Sequence, residues 1–432
     1  MNEMRKKADE LDRMLEAAGI GRRSYTLSES EKQELNVENG DFKLMRTVFN
    51  QSGSLKVFLG RRMGVANGND LTEEGLARMI GDSRAAAESS PEDPCHDLAP
   101  DQGKDVFHQG VQEPETDRFA ERIRELLETV EREYPLVRIM SAIGSFDRRH
   151  WIRRTTNGTE FEGFSGEYDF SLEICATDGE KTTGLDYTGF VTKDLDRPFI
   201  EAGDVRKHLE DVQNSISPRT LEGKFEGPVI LTPGCAGDFL GMLMRNYMGS
   251  SVIMDGTSLW LNRLGEQVAG EGLTVTLDPF DPRIVCGERA TQDGFRSEKV
   301  TLIEGGVLRS HRLNLYAANR TGRPVTKNTG NDLVVAPGTA SLAEMIASID
   351  RGLILGGFSG GSPGTNGEFS GVAKNSFLIE GGKIAGAVTE TMVNGNLGEI
   401  FSHIRAISSE VCCDGGSVIP WIAVDGIVIS GK

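Results

Sequence analysis

Six histidines stand at positions 96, 108, 150, 208, 311 and 403, and the nearest two are twelve residues apart. The simplest hydrolytic zinc site puts two histidines one helical turn apart on a helix, with a glutamate base between them. That spacing is absent, so each histidine reads as a surface residue or a satisfied core residue. Six cysteines lie at 95, 175, 235, 286, 412 and 413, without a CxxC motif. Such dispersal reads as reduced thiols rather than a disulfide framework. Cys235, in the turn PGCAG between a strand and a helix, has the address of a reactive thiol, because a helix N-terminus lowers thiol pKa. The sequence assigns it no histidine, and a packed cysteine is the plainer reading, with the nucleophile kept as the weaker one. Cys412 and Cys413 are adjacent, a spacing that strains a disulfide between them.

The segment GGFSGGSPGTNGEFSG, residues 356–371, is the most conspicuous in the chain. A phosphate cradle requires glycine followed directly by lysine and Ser/Thr at a helix start, but Lys374 follows Ala373 and NSFLIEGG after it reads as a strand. Two readings stay open: a turn between strands, or a loop whose amides at Gly360, Gly361, Ser362 and Asn366 clasp a peptide backbone.

The elements that must carry these residues come from periodicity. Met4, Leu11, Met14, Leu15 and Ala18 mark an opening helix closed by Gly19 and Gly21. From Phe42 a β meander follows, FKLMRTVFN and SLKVFLG, with a turn expected at Gln51 to Gly53. Helices are expected over 71–89, 117–135 and VRKHLEDVQNSIS, and a second antiparallel sheet over 137–191 with turns at Asn157-Gly158 and Asp178-Gly179. The polar hinge SPRTLEGKFEG then leads into strand PVILTP and a helix over AGDFLGMLMRNYMG. The 432 residues, at about 150 per domain, suggest two or three units. We divide the chain into an α+β domain, 1–222, of antiparallel sheets with helices, and a β-rich domain, 223–432, of barrel-like or sandwich form. Glycine supports the β content: 53 of 432 residues, about 12% against roughly 7% in average usage.

Charge limits the partners. With 47 basic against 65 acidic residues, the net of −18 opposes phosphate, so nucleic acid is not an expected partner. No run of about 18 apolar residues suggests a membrane span, and the charged start MNEMRKKADELDRM does not read as a secretory signal. A cytoplasmic location is expected.

The series GTSLWLNRLGEQVA, LDPFDPR, DGFRSEKVTLIEGGVLRSHRLNLYAANRTG, GEFSGVAKNSFLIEGGKIAGAVTETMVNGNLGEIF and IVISGK, with SLKVFLGRRMGVANGND in the first half, resembles the TldD/PmbA family. Members are cytosolic peptide-processing proteases once named modulators of DNA gyrase. The resemblance implies that a catalytic TldD-type chain would carry a histidine-glutamate pair and a second histidine at positions that here are Gly241, Met242 and Asn246, with a cysteine ligand at Cys412 or Cys413. Departure from that pattern implies the PmbA/TldE branch: a subunit without its own zinc or catalytic residues, paired with a zinc-bearing TldD-like protease subunit, gripping an unfolded peptide, and homodimeric in isolation. The alternatives are a stand-alone peptidase, or a non-proteolytic regulator binding DNA gyrase or a toxin-antitoxin pair.

Overall fold

The computed structural model describes residues 3–432. Helix α1 (Glu3–Ala17) buries Met4, Ala8, Leu11 and Leu15, one face at helical spacing, and Gly19 at φ 71° ends it. Strands β1 (Arg23–Glu38), β2 (Asp41–Leu59) and β3 (Arg62–Gly68) follow, then α2 (Glu73–Ser89), β4 (Lys104–Gly110), α3 (Thr116–Glu133), β5 (Val137–Thr155), β6 (Glu160–Ala176), β7 (Asp186–Thr192) and α4 (Val205–Asn214). The strands form one sheet in the order β3-β2-β1-β5-β6-β4, with β7 also on β6. One sheet stands where two were expected, because β1 pairs with β5 from Ser24–Thr155 to Glu38–Ser141.

Strand β1 carries no apolar alternation over Ser28–Glu34, which hid it from sequence reading. Its polar residues are matched across the sheet instead: Glu31 pairs with Arg148, Lys32 with Asp147 and Glu29 with His150. The turn expected at Gln51–Gly53 does not form. Gly53 continues β2, and the space its missing side chain leaves is closed by Leu27, Leu71 and Met79. The turn at Asn157-Gly158 does form, joining β5 to β6 with Gly158 at φ 104°. Helices α1 and α2 pack on one part of the sheet through Leu11, Leu15, Leu55, Met79 and Ile152, and α3 and α4 on another through Phe119, Ile123, Phe170 and Leu209.

In the second half come β8 (Arg219–Thr220), β9 (Lys224–Leu231), α5 (Pro233–Leu243), a π-helical turn (Met244–Met248), α6 (Ser250–Met254), β10 (Val275–Leu277), β11 (Val300–Glu304), β12 (Val307–Leu308), α7 (Leu315–Thr321), β13 (Leu333–Val335) and α8 (Leu342–Ala347). There follow β14 (Arg351–Leu355), β15 (Gly357–Gly360), β16 (Glu368–Lys374), β17 (Ser376–Glu380), β18 (Lys383–Thr389), β19 (Met392–Asn396), α9 (Leu397–Ser402), β20 (Ile404–Cys413) and β21 (Ser417–Ser430). The main path of their sheet is β12-β11-β10-β13-β21-β9-β14-β17-β18-β8, and β15, β16, β19 and β20 branch from it. The architecture is α+β, as expected, with the second half dominated by this sheet around the apolar helix α5. Among the described residues no helix is long and apolar enough to cross a membrane.

Candidate functional site

Strand β9 ends at Leu231, and Thr232 caps α5 by accepting a hydrogen bond from Cys235 N (3.4 Å) while its hydroxyl donates to Gly356 O (3.0 Å). Pro233 follows at the first helical position, where its missing N–H costs nothing. One side of α5 is sealed in the core by Ala236, Phe239, Leu240 and Leu243. The other side, Gly237, Asp238, Gly241, Met242 and Arg245, faces a cleft of about 520 Å³ whose opposite walls are β7, α4 and the β20–β21 hairpin.

The helix loses its α form at Met244, earlier than the expected 236–249 span, and makes a π turn through Met248. In a regular α-helix positions 241 and 246 stand about 140° apart around the axis. The wider π turn narrows that angle. The backbone thus keeps a form suited to paired groups five residues apart, while the side chains there are glycine and asparagine. Asn246 is committed elsewhere: its amide nitrogen donates to Pro363 O and Gly364 O, both at 3.1 Å. Above Gly241 stands a cation, for the Arg245 Nη1 lies 3.5 Å from where a Cβ on Gly241 would be.

Across the cleft His208 is held by two carboxylates, Nδ1 at 2.8 Å from Asp186 and Nε2 at 3.1 Å from Asp204. Burial opposes its charge, but these hydrogen bonds and the two negative charges outweigh burial and push its pKa up to about 10. It is an imidazolium with no lone pair to offer. Thr188 donates to Asp204 (2.8 Å) and Asn375 to Asp186 (2.5 Å), so the triad ties β7, α4 and the β16–β17 turn.

The cysteines divide by strand geometry. Cys412 and Cys413 are successive residues of β20 and point to opposite faces, Cys412 into the cleft and Cys413 into a second groove with Arg283. Burial raises the Cys412 thiol, and Asp204 and Asp414 raise it further. Cys235 is fully buried and its thiol is raised by burial and then by Asp238. The helix terminus beside it contributes on the order of 0.3–1 kcal/mol, under one pKa unit. Desolvation can reach several units and wins.

The glycine-rich segment is a hairpin: β15 pairs with β16, and residues 361–367 make the turn. Gly360, Gly361, Ser362 and Asn366 lie outside the cleft's lining. The hairpin they belong to is gripped at Pro363 and Gly364 by Asn246 of the π segment, while Asn396 holds Asn366 O at 2.7 Å. Asp186, Asp204, His208 and Arg245 were missed by sequence reading. The one sequence signal was Asp204 and His208 at i, i+4 on a helix, too common a pair to mark a site.

A divalent cation does not fit this donor set. Gly241 and Met242 bring no suitable lone pair, Asn246 is engaged, the Cys412 thiol is held protonated, Arg245 and His208 are cations, and of the carboxylates lining the cleft Asp204 is taken by His208, Asp414 by Ser417, and burial raises the Asp238 carboxyl. Among the described residues no group of three or more His, Cys, Asp or Glu could hold a metal ion. What the cleft does offer is an open strand edge. Among the described residues β7 pairs only with β6, and its Val191 N–H reaches out to Asp414 O (2.7 Å), so by alternation Tyr187 and Gly189 also direct their backbone groups away from β6. Both line the cleft.

Two family models match: that of the PmbA/TldA metallopeptidase C-terminal domain at residues 223–431, and that of the PmbA/TldA metallopeptidase domain 1 at residues 27–87, together more than half of the chain. The chain belongs to the PmbA/TldD family. The metalloprotease PmbA of Escherichia coli O157:H7 is 26% identical over 384 residues, 84% of this chain and 82% of that protein. A metalloprotease TldD homologue of Buchnera aphidicola is 25% identical over 64% of this chain and 61% of its own. The PmbA/TldD fold extends over the whole length. The crystal structure of TldE from Thermococcus kodakarensis superposes with a TM-score of 0.82 at 19% identity, covering 98% of this chain and all of that one. A candidate modulator of DNA gyrase from Bacteroides thetaiotaomicron superposes at 0.84 with 21% identity over the full length of both.

Proposed function

We propose that this chain is a PmbA/TldE-like subunit of a TldD/TldE-type protease assembly, that it lacks a zinc site of its own, and that it holds an extended peptide while a zinc-bearing TldD-like partner cleaves it. The observation that carries this is α5 with its π turn, where Gly241 and Asn246 stand at the positions of the implied ligands, Asn246 is tied to the 361–367 turn, and Arg245 brings a cation to the cleft. The open edge of β7 supports the peptide role. A strand added there would pair through Tyr187 and Gly189, reading backbone more than side chains. That edge is a better-placed peptide contact than the loop residues Gly360, Gly361, Ser362 and Asn366. The six cysteines, unpaired in the structure, fit a reducing, cytoplasmic setting. A net charge of −18 favours a peptide handler over a direct DNA binder.

The test is metal content and cleavage. Purified chain should hold far less than one zinc per molecule and leave unfolded peptides intact, and cleavage should appear when a TldD-like subunit is added. The triple variant Gly241→His, Met242→Glu, Asn246→His should remain inactive alone, because Arg245 and the His208 triad are no outer shell for a metal. Stoichiometric zinc that is lost on Cys412→Ser, or cleavage by the chain alone, overturns the reading.

A further inference from the structure

We propose that Arg149, on the face of the first sheet turned away from α1–α4, is an anion site that takes a carboxylate of the bound peptide. That the ligand is a peptide rests on the peptide-handling reading, while the site stands on its own geometry. Residues paired directly across strands share a face, and side chains alternate along each strand. Tyr25, Leu27, Phe146 and Ile152 pack toward the helices, so Ser30, Arg149 and Ser165 point the other way. On that face the pairing sets one row across five strands: Asn50, Ser30, Arg149, Ser165 and Gln109. Arg149 is its only charge. The next row, from Ser52 through Ser28 and Trp151 to Phe107, has none. On the opposite side Lys32 and Asp147 pair with each other at 3.4 Å, and burial raises the Glu167 carboxyl beyond them.

The guanidinium is placed but not paired. Its Nε donates to Ser28 Oγ (2.9 Å), and Ser28 is buried, which fixes where the head group stands. Among the described residues no other hydrogen bond and no ion pair engages it. Other arginines of the sheet are engaged: Arg46 with Glu34, Arg148 with Glu31, Arg154 with Asp12, and Arg153 with Thr26 and two carbonyls. Arg149 is exposed, yet desolvation by the surrounding protein lowers its pKa with no carboxylate to offset it. Arg153, four residues along β5, adds positive charge on the same face, although Glu288 and Asp293 act on it. On a chain carrying a net −18, the row is a local excess of positive charge.

The free Nη groups form the fork that a carboxylate accepts bidentately. Cβ atoms opposed across strands lie about 5 Å apart, so the hydroxyls of Ser30 and Ser165 flank the fork and can donate to the same oxygens. One unpaired guanidinium balances one negative charge, which favours a carboxylate over a phosphate dianion. Gln109 is outside the receptor, because its amide holds Gly287 O at 2.8 Å, closing the row where the second half of the chain meets the sheet.

The probes are three N-acetylated octapeptides of alternating alanine and serine: one with a free C-terminal carboxylate, one amidated, and one amidated with a central glutamate. Each is titrated with the full chain and followed by ligand-observed nuclear magnetic resonance. A carboxylate form should bind about threefold to tenfold more tightly than the neutral peptide, the range between exposed and half-buried charge-assisted pairs. The form that gains names the source, C-terminus or side chain, and either supports the site. Arg149→Gln should bring all three peptides to the affinity of the neutral one. Arg149→Lys, a point charge without the fork, should keep part of the gain. Thermal unfolding of both variants should stay near that of the parent chain, since the side chain is exposed. Equal binding of the three peptides leaves the peptide role standing and overturns the anion site. So does a preference that survives Arg149→Gln, or one that only Arg245→Gln abolishes. Failure of all three to bind overturns the peptide role and this assignment with it.

Discussion

His208 lies between Asp186 and Asp204 in the cleft wall, and its charge is part of the fold. Because its folded pKa of about 10 exceeds the free-imidazole value near 6.5, its stabilising effect is complete below pH 6.5 and is lost as the pH rises toward 10. Unfolding free energy should therefore fall across that window by up to about 1.4 kcal/mol per pH unit, and His208→Gln should flatten the slope in urea titrations. At pH 7 the same change leaves two carboxylates without their cation and should cost about 3–5 kcal/mol. An unchanged alkaline slope in His208→Gln would assign the dependence to another group. Asn246 offers a second residue-scale check: Asn246→Ala removes both hydrogen bonds to the 361–367 turn and should cost about 1–3 kcal/mol. Hydrogen exchange should quicken there and not in β7.

At the scale of elements, the π turn after α5 and the β15–β16 hairpin lock together. Gly367 sits at φ 83° against the Tyr247 ring, where a Cβ would overlap the tyrosine hydroxyl. Gly367→Ala combines an unfavourable backbone region with overpacking and should lower stability by about 2–4 kcal/mol, read from the shift of the urea midpoint. A substitution that is neutral would mean the hairpin swings freely of the π turn. α1, α2 and α3 were legible in the sequence because each buries one apolar face. β1 was not, because paired charges replace alternation along its middle, and the true length of β2 was masked by Gly53, which looks like a turn but fills a tight approach.

For the whole molecule, the two sheets and the elements around them are joined by specific contacts. Arg153 on β5 bonds Thr26 and the carbonyls of Ala290 and Thr291, Tyr316 bonds Asp93 (2.8 Å), and β7 bonds Asp414. Arg153 is half-buried, and desolvation pulls its pKa down to about 10. Unfolding should follow a single cooperative transition. Arg153→Ala, which strands two carbonyls, should cost about 2–4 kcal/mol and separate the transition into two in differential scanning calorimetry. Two transitions in the parent chain would show the halves to be independent.

Local pattern was enough for the α+β class, for the amphipathic helices and for the identity of the side chains at 241, 242 and 246, because each depends on spacing along a few turns of chain. The cleft was settled only by long-range packing. His208 meets Asp186 across 22 residues, and Cys412 is parted from Cys413 by the pleat of β20. The edge left bare on β7 depends on which strands pair, and pairing is chosen by contacts that are distant in sequence.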